Sequence, residues 1–187
     1  KILFSIILLS YIFSQNCEEG SVWLFRHCNN FYDGHSDGCL LPSGCFSIEQ
    51  TTFIDLYNEW DLEGLEIPPE IGDLINLVTL DLSHTDIIGT LPAEIGNLVN
   101  LEELIIYHTY SNDGQNFGGD IPSEIGNLIN LRKLYLGGNS FTNLPESIGN
   151  LANLEELNLY DNQIQSTIPV EIGNLINLKK LYLGRNF

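Results

Sequence analysis

Two residue types recur at positions where they could act together. Five of the eight tyrosines, Tyr57, Tyr107, Tyr135, Tyr160 and Tyr182, fall at matched places in successive segments of the chain. His84 and His108 also match, within Ser83-His-Thr and Tyr107-His-Thr. Tyrosine offers a large contact area with a polar tip at low entropy cost, which is recognition chemistry. The same tyrosines have a second reading, as strand formers that pack on their neighbours. A histidine pair suits a metal ion or a pH switch, but no third ligand is evident, and exposed turn histidines are the other reading. No G-x-S-x-G, H-E-x-x-H, phosphate-binding or dinucleotide signature occurs. Glu70, Glu94, Glu124 and Glu171 share one register and should be solvated rather than gathered in a pocket. The expectation is a chain without catalytic residues, cofactor or metal centre.

The other reactive residues lie near the N-terminus. Lys1 followed by the apolar run Ile2–Phe13 resembles a secretory signal peptide, too short to span a bilayer, with Ser14 as the small residue before cleavage. Secretion changes how Cys17, Cys28, Cys39 and Cys45 read: four cysteines in an oxidising compartment suggest two disulfides, in any of three pairings. Gaps of ten, ten and five residues do not suit zinc, which favours close pairs. Residues 1–14 are therefore expected to be a signal peptide and 15–50 a disulfide-stapled cap. Its Gly34, Gly38, Gly44 and Pro42 imply turns rather than long helices.

Charge narrows the partners. With 25 acidic and 7 basic residues, the net charge of −18 repels phosphate, so neither nucleic acid nor an anionic membrane is expected. A hydrophobic content of 43% argues against disorder. No N-x-S/T acceptor occurs, so N-glycans are not part of this surface.

The strongest pattern is internal repetition. Ile67-Pro-Pro-Glu-Ile-Gly-Asp-Leu-Ile-Asn-Leu77 recurs in four further copies, whose prolines are Pro92, Pro122, Pro145 and Pro169. Behind each copy runs L-x-x-L-x-L-x-x-N or a variant, clearest in Leu131-Arg-Lys-Leu134-Tyr-Leu136-Gly-Gly-Asn139. Over residues 51–187 this closely resembles the leucine-rich repeat family. The Ile-Pro step, with Gly64, Gly89 and Gly119, is similar to the extracellular plant-type subfamily. The cap departs from that subfamily's adjacent cysteines. The resemblance implies an α/β solenoid: a horseshoe or arc with a parallel β-sheet on its concave face and short helical or irregular turns on its convex face. It also implies that Asn139, Asn162 and Asn186 stack side-chain amides against turn backbone. At Glu59, Thr85 and Thr109 that ladder should break.

Strands are expected at Ile54–Leu56, Leu80–Leu82, Leu104–Ile106, Leu134–Leu136, Leu157–Leu159 and Leu181–Leu183. Their Leu/Ile residues should stack inward into one continuous core. Pro after each Ile/Leu and the Gly before Asn/Asp-Leu suit the convex return, the glycine as a source of dihedral freedom. Glu94–Leu98 and its equivalents read as one short helical or 3₁₀ turn. Facing out on the concave side would be Asp55, Asp81, Ile105, Tyr135, Asn158 and Tyr182. Two residues further on stand Tyr57, Ser83, Tyr107, Gly137, Tyr160 and Gly184. Glu102-Glu103, Arg132-Lys133, Glu155-Glu156 and Lys179-Lys180 alternate in sign and predict an ion-pair ladder between strands. The long repeat carries an insertion near Tyr110–Asp120, without the spacing of a calcium loop, that reads as a partner contact or a tolerated bulge.

These features point to a secreted or cell-surface, non-enzymatic recognition module. It would bind a protein or peptide through Tyr57, His84, Tyr107, His108, Tyr135, Tyr160 and Tyr182, and the acidic surface would suit a basic ligand. Two rivals stand beside it: a self-associating adhesive protein, and the front of a leucine-rich repeat receptor kinase. No capping repeat precedes Phe187, so the expectation is a chain of five to six repeats truncated at its C-terminus.

Overall fold

The computed structural model describes residues 21–23, 45–57, 65–107 and 117–187. The signal segment, Cys17, Cys28, Cys39, Glu59, Gly64, His108, Thr109 and most of the insertion lie outside the described residues. Of the expected cap, two short strands are described, β1 (Ser21–Trp23) and β2 (Cys45–Ser47), paired antiparallel.

Repetition of one apolar pattern builds the rest. β3 (Phe53–Asp55), β4 (Thr79–Asp81), β6 (Glu103–Ile105), β8 (Lys133–Tyr135), β10 (Glu156–Asn158) and β11 (Lys180–Tyr182) form a six-stranded parallel sheet in sequence order. A second parallel sheet joins β5 (Gly89–Thr90), β7 (Phe117–Asp120) and β9 (Ser140–Asn143) on the flank. Five 3₁₀ turns, each opened by a proline at the preceding position, carry the return path: Pro69–Asp73, Ala93–Asn97, Ser123–Asn127, Glu146–Asn150 and Val170–Asn174. The architecture is the expected solenoid.

Each concave strand begins one residue earlier than expected. The last residue of the first five expected strands still takes part in the ladder: Leu56 donates to Asp81 O at 2.8 Å, Leu82 to Ile105 O at 2.8 Å and Ile106 to Tyr135 O at 2.7 Å. The pattern therefore located the ladder, and the outward residue before each inward leucine extends it. Those inward residues, Leu80, Leu104, Leu134 and Leu157, are fully buried, as are Leu82, Ile106, Leu136 and Leu159. Phe117 and Phe141 close the core beneath the flanking sheet, edge to face with centroids 5.6 Å apart.

The convex glycines act differently from the expectation. Among the described glycines positive φ occurs at Gly89, Gly119 and Gly138, not at Gly72, Gly96, Gly126 or Gly149. Their role is close approach. A Cβ on any of the last four would stand 2.5–2.7 Å from the carbonyl oxygen of a residue in the next repeat. The motif keeps glycine there because no side chain fits between stacked turns.

Two amide ladders hold the register. Asn139 Nδ2 donates to Ile106 O at 2.6 Å and Leu136 O at 3.0 Å. Asn162 Nδ2 donates to Leu136 O and Leu159 O, and Asn186 Nδ2 to Leu159 O and Leu183 O. Thr85 breaks the series, its hydroxyl donating within its own repeat to Leu82 O at 2.7 Å. A second, exposed ladder runs through Asn100, Asn130, Asn153 and Asn177, each donating to the preceding repeat at 2.8–2.9 Å.

Candidate functional site

Parallel pairing without slippage sets three outward columns on the concave sheet. Phe53, Thr79, Glu103, Lys133, Glu156 and Lys180 form the first, and Asp55, Asp81, Ile105, Tyr135, Asn158 and Tyr182 the second. Two residues beyond the strands stand Tyr57, Ser83, Tyr107, Gly137, Tyr160 and Gly184. This third column alternates large with small. The Tyr107 ring covers Gly137 and the Tyr160 ring covers Gly184, so closely that a Cβ at Gly137 would lie 2.8 Å from Tyr107 Cε2. The tyrosines thus pack on their neighbours and still present a face to solvent.

The second column also supports the third. Asp55 Oδ1 accepts the Tyr57 N–H at 3.0 Å, Asp81 Oδ1 the Ser83 N–H at 2.9 Å and Asn158 Oδ1 the Tyr160 N–H at 3.0 Å. After the third column the chain turns through left-handed backbone at His84, Gly138, Asp161 and Arg185. The side chain at this turn reaches back to the preceding tyrosine. His84 meets Tyr57 edge to face at 5.3 Å, and the Arg185 guanidinium lies 5.5 Å from the Tyr160 centroid. His84 also packs on Tyr107 at 6.0 Å, making Tyr57–His84–Tyr107 one aromatic strip.

The alternating charges form the ladder their spacing predicts. Arg132 and Lys179 both hold Glu155 at 2.7 Å, Lys133 holds Glu103 at 2.7 Å and Lys180 holds Glu156 at 2.9 Å. Glu156 also accepts the Tyr135 hydroxyl. Burial and this bond push the Tyr135 phenol up to about 12. The bonds from Lys179 and then Arg132 hold the Glu155 carboxyl down at about 2, from an ordinary 4.5.

A carboxyl depressed on folding stabilises above its unfolded value and loses that contribution as pH falls through its folded value. Glu155→Gln should therefore lower the unfolding midpoint near neutrality, and the gap to wild type should close between about pH 4.5 and pH 2. Titration of the unpaired carboxylates is common to both proteins and cancels in the difference. A gap that stays constant across that window in urea titrations would show that the ionised Glu155 carboxylate contributes nothing to stability.

Sequence reasoning placed Tyr57, His84, Tyr107, Tyr135, Tyr160 and Tyr182 on this face. It missed Phe53, 60% exposed on the edge strand, because that residue stood just outside the expected strand. It also missed the ring contacts of His84 and Arg185, which depend on left-handed turns that no residue pattern announces. A shallow recess of about 390 Å³ lies beside the face rather than on it, lined by Glu102, Asn130, Arg132, Asn153, Glu155, Asn177 and Lys179. Most of its charges are already paired with one another. Among the described residues no group of acidic, His or Cys side chains is arranged to hold a metal, and no helix is long and apolar enough to cross a membrane.

Comparison with known proteins places the scaffold. The family model described as Leucine rich repeat matches residues 129–186, and a second of that description matches residues 76–98. The ectodomain of the Arabidopsis thaliana receptor kinase SOBIR1 is 30% identical with a TM-score of 0.62, and the match covers 72% of this chain and 70% of that one. The chain belongs to the leucine-rich repeat family. A TDR receptor is 34% identical at a TM-score of 0.61 over 66% of this chain. The Arabidopsis receptor kinase HAESA, solved with the peptide hormone IDA and the co-receptor SERK1, is 33% identical at 0.58 over 66% of this chain. This leucine-rich repeat chain spans only 20% of the length of each of those two. No curated protein matches the sequence.

Proposed function

We propose that this chain is a non-enzymatic recognition module, secreted or displayed outside the cell, that binds a protein or peptide on its concave sheet. The observation that carries the reading is the outward face of the six-stranded sheet. There Tyr57, Tyr107, Tyr135, Tyr160 and Tyr182 project from a scaffold fixed by buried leucines and amide ladders. Aromatic anchors held rigid before binding spend little entropy on association. HAESA, which shares the fold and a third of the aligned residues, binds a peptide hormone. Complementarity of shape and polarity on a pre-formed surface is the proposed mechanism. The fold alone does not select a ligand.

The test is capture of an extracellular partner by the immobilised chain, with the partner identified and its affinity then measured. Tyr107→Ala, Tyr135→Ala and Tyr160→Ala together should weaken binding by at least about tenfold, the effect of losing one aromatic hot spot. Circular dichroism should stay unchanged. Glu94→Gln on the convex face should bind as wild type. An affinity untouched by the tyrosine substitutions would move the site off this face. A chain that captures only copies of itself would instead favour a self-associating surface protein. The residues for that rival are the exposed Ile75, Val99, Ile129 and Ile176, which share one register along the edge of the solenoid.

A further inference from the structure

The concave face is not uniform in charge. Every lysine and arginine among the described residues lies at or beyond Arg132, and each is ion-paired: Arg132, Lys133, Lys179 and Lys180 in the ladder, Arg185 with Asp161 at 3.9 Å. Among the described residues, the outward carboxylates of β3 and β4 have no such compensation. Asp55 and Asp81 stand opposite each other in register on neighbouring strands, and neither is in an ion pair among the described residues. Like charges directly opposed across a ladder destabilise the sheet that holds them. Each carboxylate spends one oxygen on a backbone N–H, at Tyr57 and Ser83. Beside them runs the Tyr57–His84–Tyr107 strip, with Tyr57 58% exposed.

The other end of the same face carries a template for what such an arrangement holds. At Tyr160 the chain supplies its own cation: Arg185 lies over the ring and reaches the Asp161 carboxylate. Tyr57 occupies the register of Tyr160, and His84 that of Arg185. There the aromatic face stands beside carboxylates from a neighbouring position, Asp55 and Asp81, neither of which is joined to a Lys or Arg among the described residues. Resting on the recognition reading above, we propose that the β3–β6 end of the concave face seats a cationic side chain, arginine or lysine, of the bound peptide. The guanidinium or ammonium lies against the Tyr57–His84–Tyr107 strip and between the Asp55 and Asp81 carboxylates. The ion-paired end then contacts the rest of the ligand through neutral and tyrosine surface, so charge sets the direction in which the ligand lies.

The test uses the whole chain and two blocked tripeptides, acetyl-Gly-Arg-Gly-amide and the same peptide with uncharged citrulline in place of arginine. Aromatic NMR signals report where each binds. The arginine peptide should shift Tyr57, His84 and Tyr107. Citrulline should bind about tenfold more weakly, as expected for losing one exposed cation–π contact together with its carboxylate partners. Asp55→Asn with Asp81→Asn should weaken the arginine peptide to the same degree. That variant keeps the fold, because an asparagine oxygen already supports the same turn at Asn158. Glu94→Gln with Glu124→Gln, on the convex side, should leave binding unchanged. Equal binding of both peptides, equal loss in the convex variant, or no shift in the strip would overturn the cationic seat. Equal shifts of the strip by both peptides would do so while leaving recognition on this face standing. The partner-capture experiment decides that broader reading separately.

Discussion

Asn162→Ala should destabilise the protein by about 3 kcal/mol, while Asn177→Ala should cost less than about 1 kcal/mol, although both remove an amide that bridges repeats. Asn162 is 6% exposed and fully engaged. Its Nδ2 donates to Leu136 O at 2.9 Å and Leu159 O at 3.2 Å, and its Oδ1 accepts the Phe141 N–H at 2.9 Å. The two carbonyls would keep a second donor, Asn139 for Leu136 and Asn186 for Leu159. The Phe141 N–H has no such reserve and would be orphaned in the interior, which carries most of the penalty. Asn177 bonds Ala152 O at 2.8 Å at an exposed site, where water replaces the lost amide. Urea denaturation measures both, as a shift in midpoint at constant slope. Equal losses would mean that burial does not distinguish the two ladders.

The scaffold was legible because the repeat states its own geometry. Leucines at alternate positions say which side chains point inward, and one registered copy fixes the next, so the concave columns followed without further information. The ion-pair ladder was legible for the same reason: Glu102-Glu103 and Arg132-Lys133 can only meet if their strands are neighbours. What escaped depends on conformation within a turn. The His84 contact with Tyr57 goes with left-handed backbone at residue 84, a conformation that few non-glycine residues adopt, even though histidine is enriched among those that do. The bond from Tyr135 to Glu156 requires knowing how far two long side chains lean along their strands. The recognition surface could thus be outlined from the sequence, but its division into an ion-paired end and an uncompensated acidic end depends on which side chains meet in the folded chain.

The convex glycines give the second large expectation, and it separates two explanations that the sequence does not distinguish. Gly126→Ala should cost about 3 kcal/mol, the upper part of the range for overpacking a rigid interior. Its Cβ would stand 2.6 Å from Ser147 O and 2.7 Å from Ser147 Cβ, and the obstruction is largely backbone that cannot rotate away. Gly173→Ala, in the same motif position, should be neutral or stabilising by up to about 1 kcal/mol, since alanine restricts the unfolded chain. Nothing lies within 4 Å of a Cβ at residue 173. If glycine served only for backbone freedom, the two substitutions would act alike, and equal shifts in urea midpoint would establish that. A large difference means that close contact between successive 3₁₀ turns sets the rise from repeat to repeat on the convex side. That rise sets the curvature of the solenoid, and curvature sets the spacing of the tyrosines across the concave face. Gly126→Ala should therefore weaken partner binding beyond its effect on the folded fraction, although residue 126 lies on the side of the chain away from the proposed site.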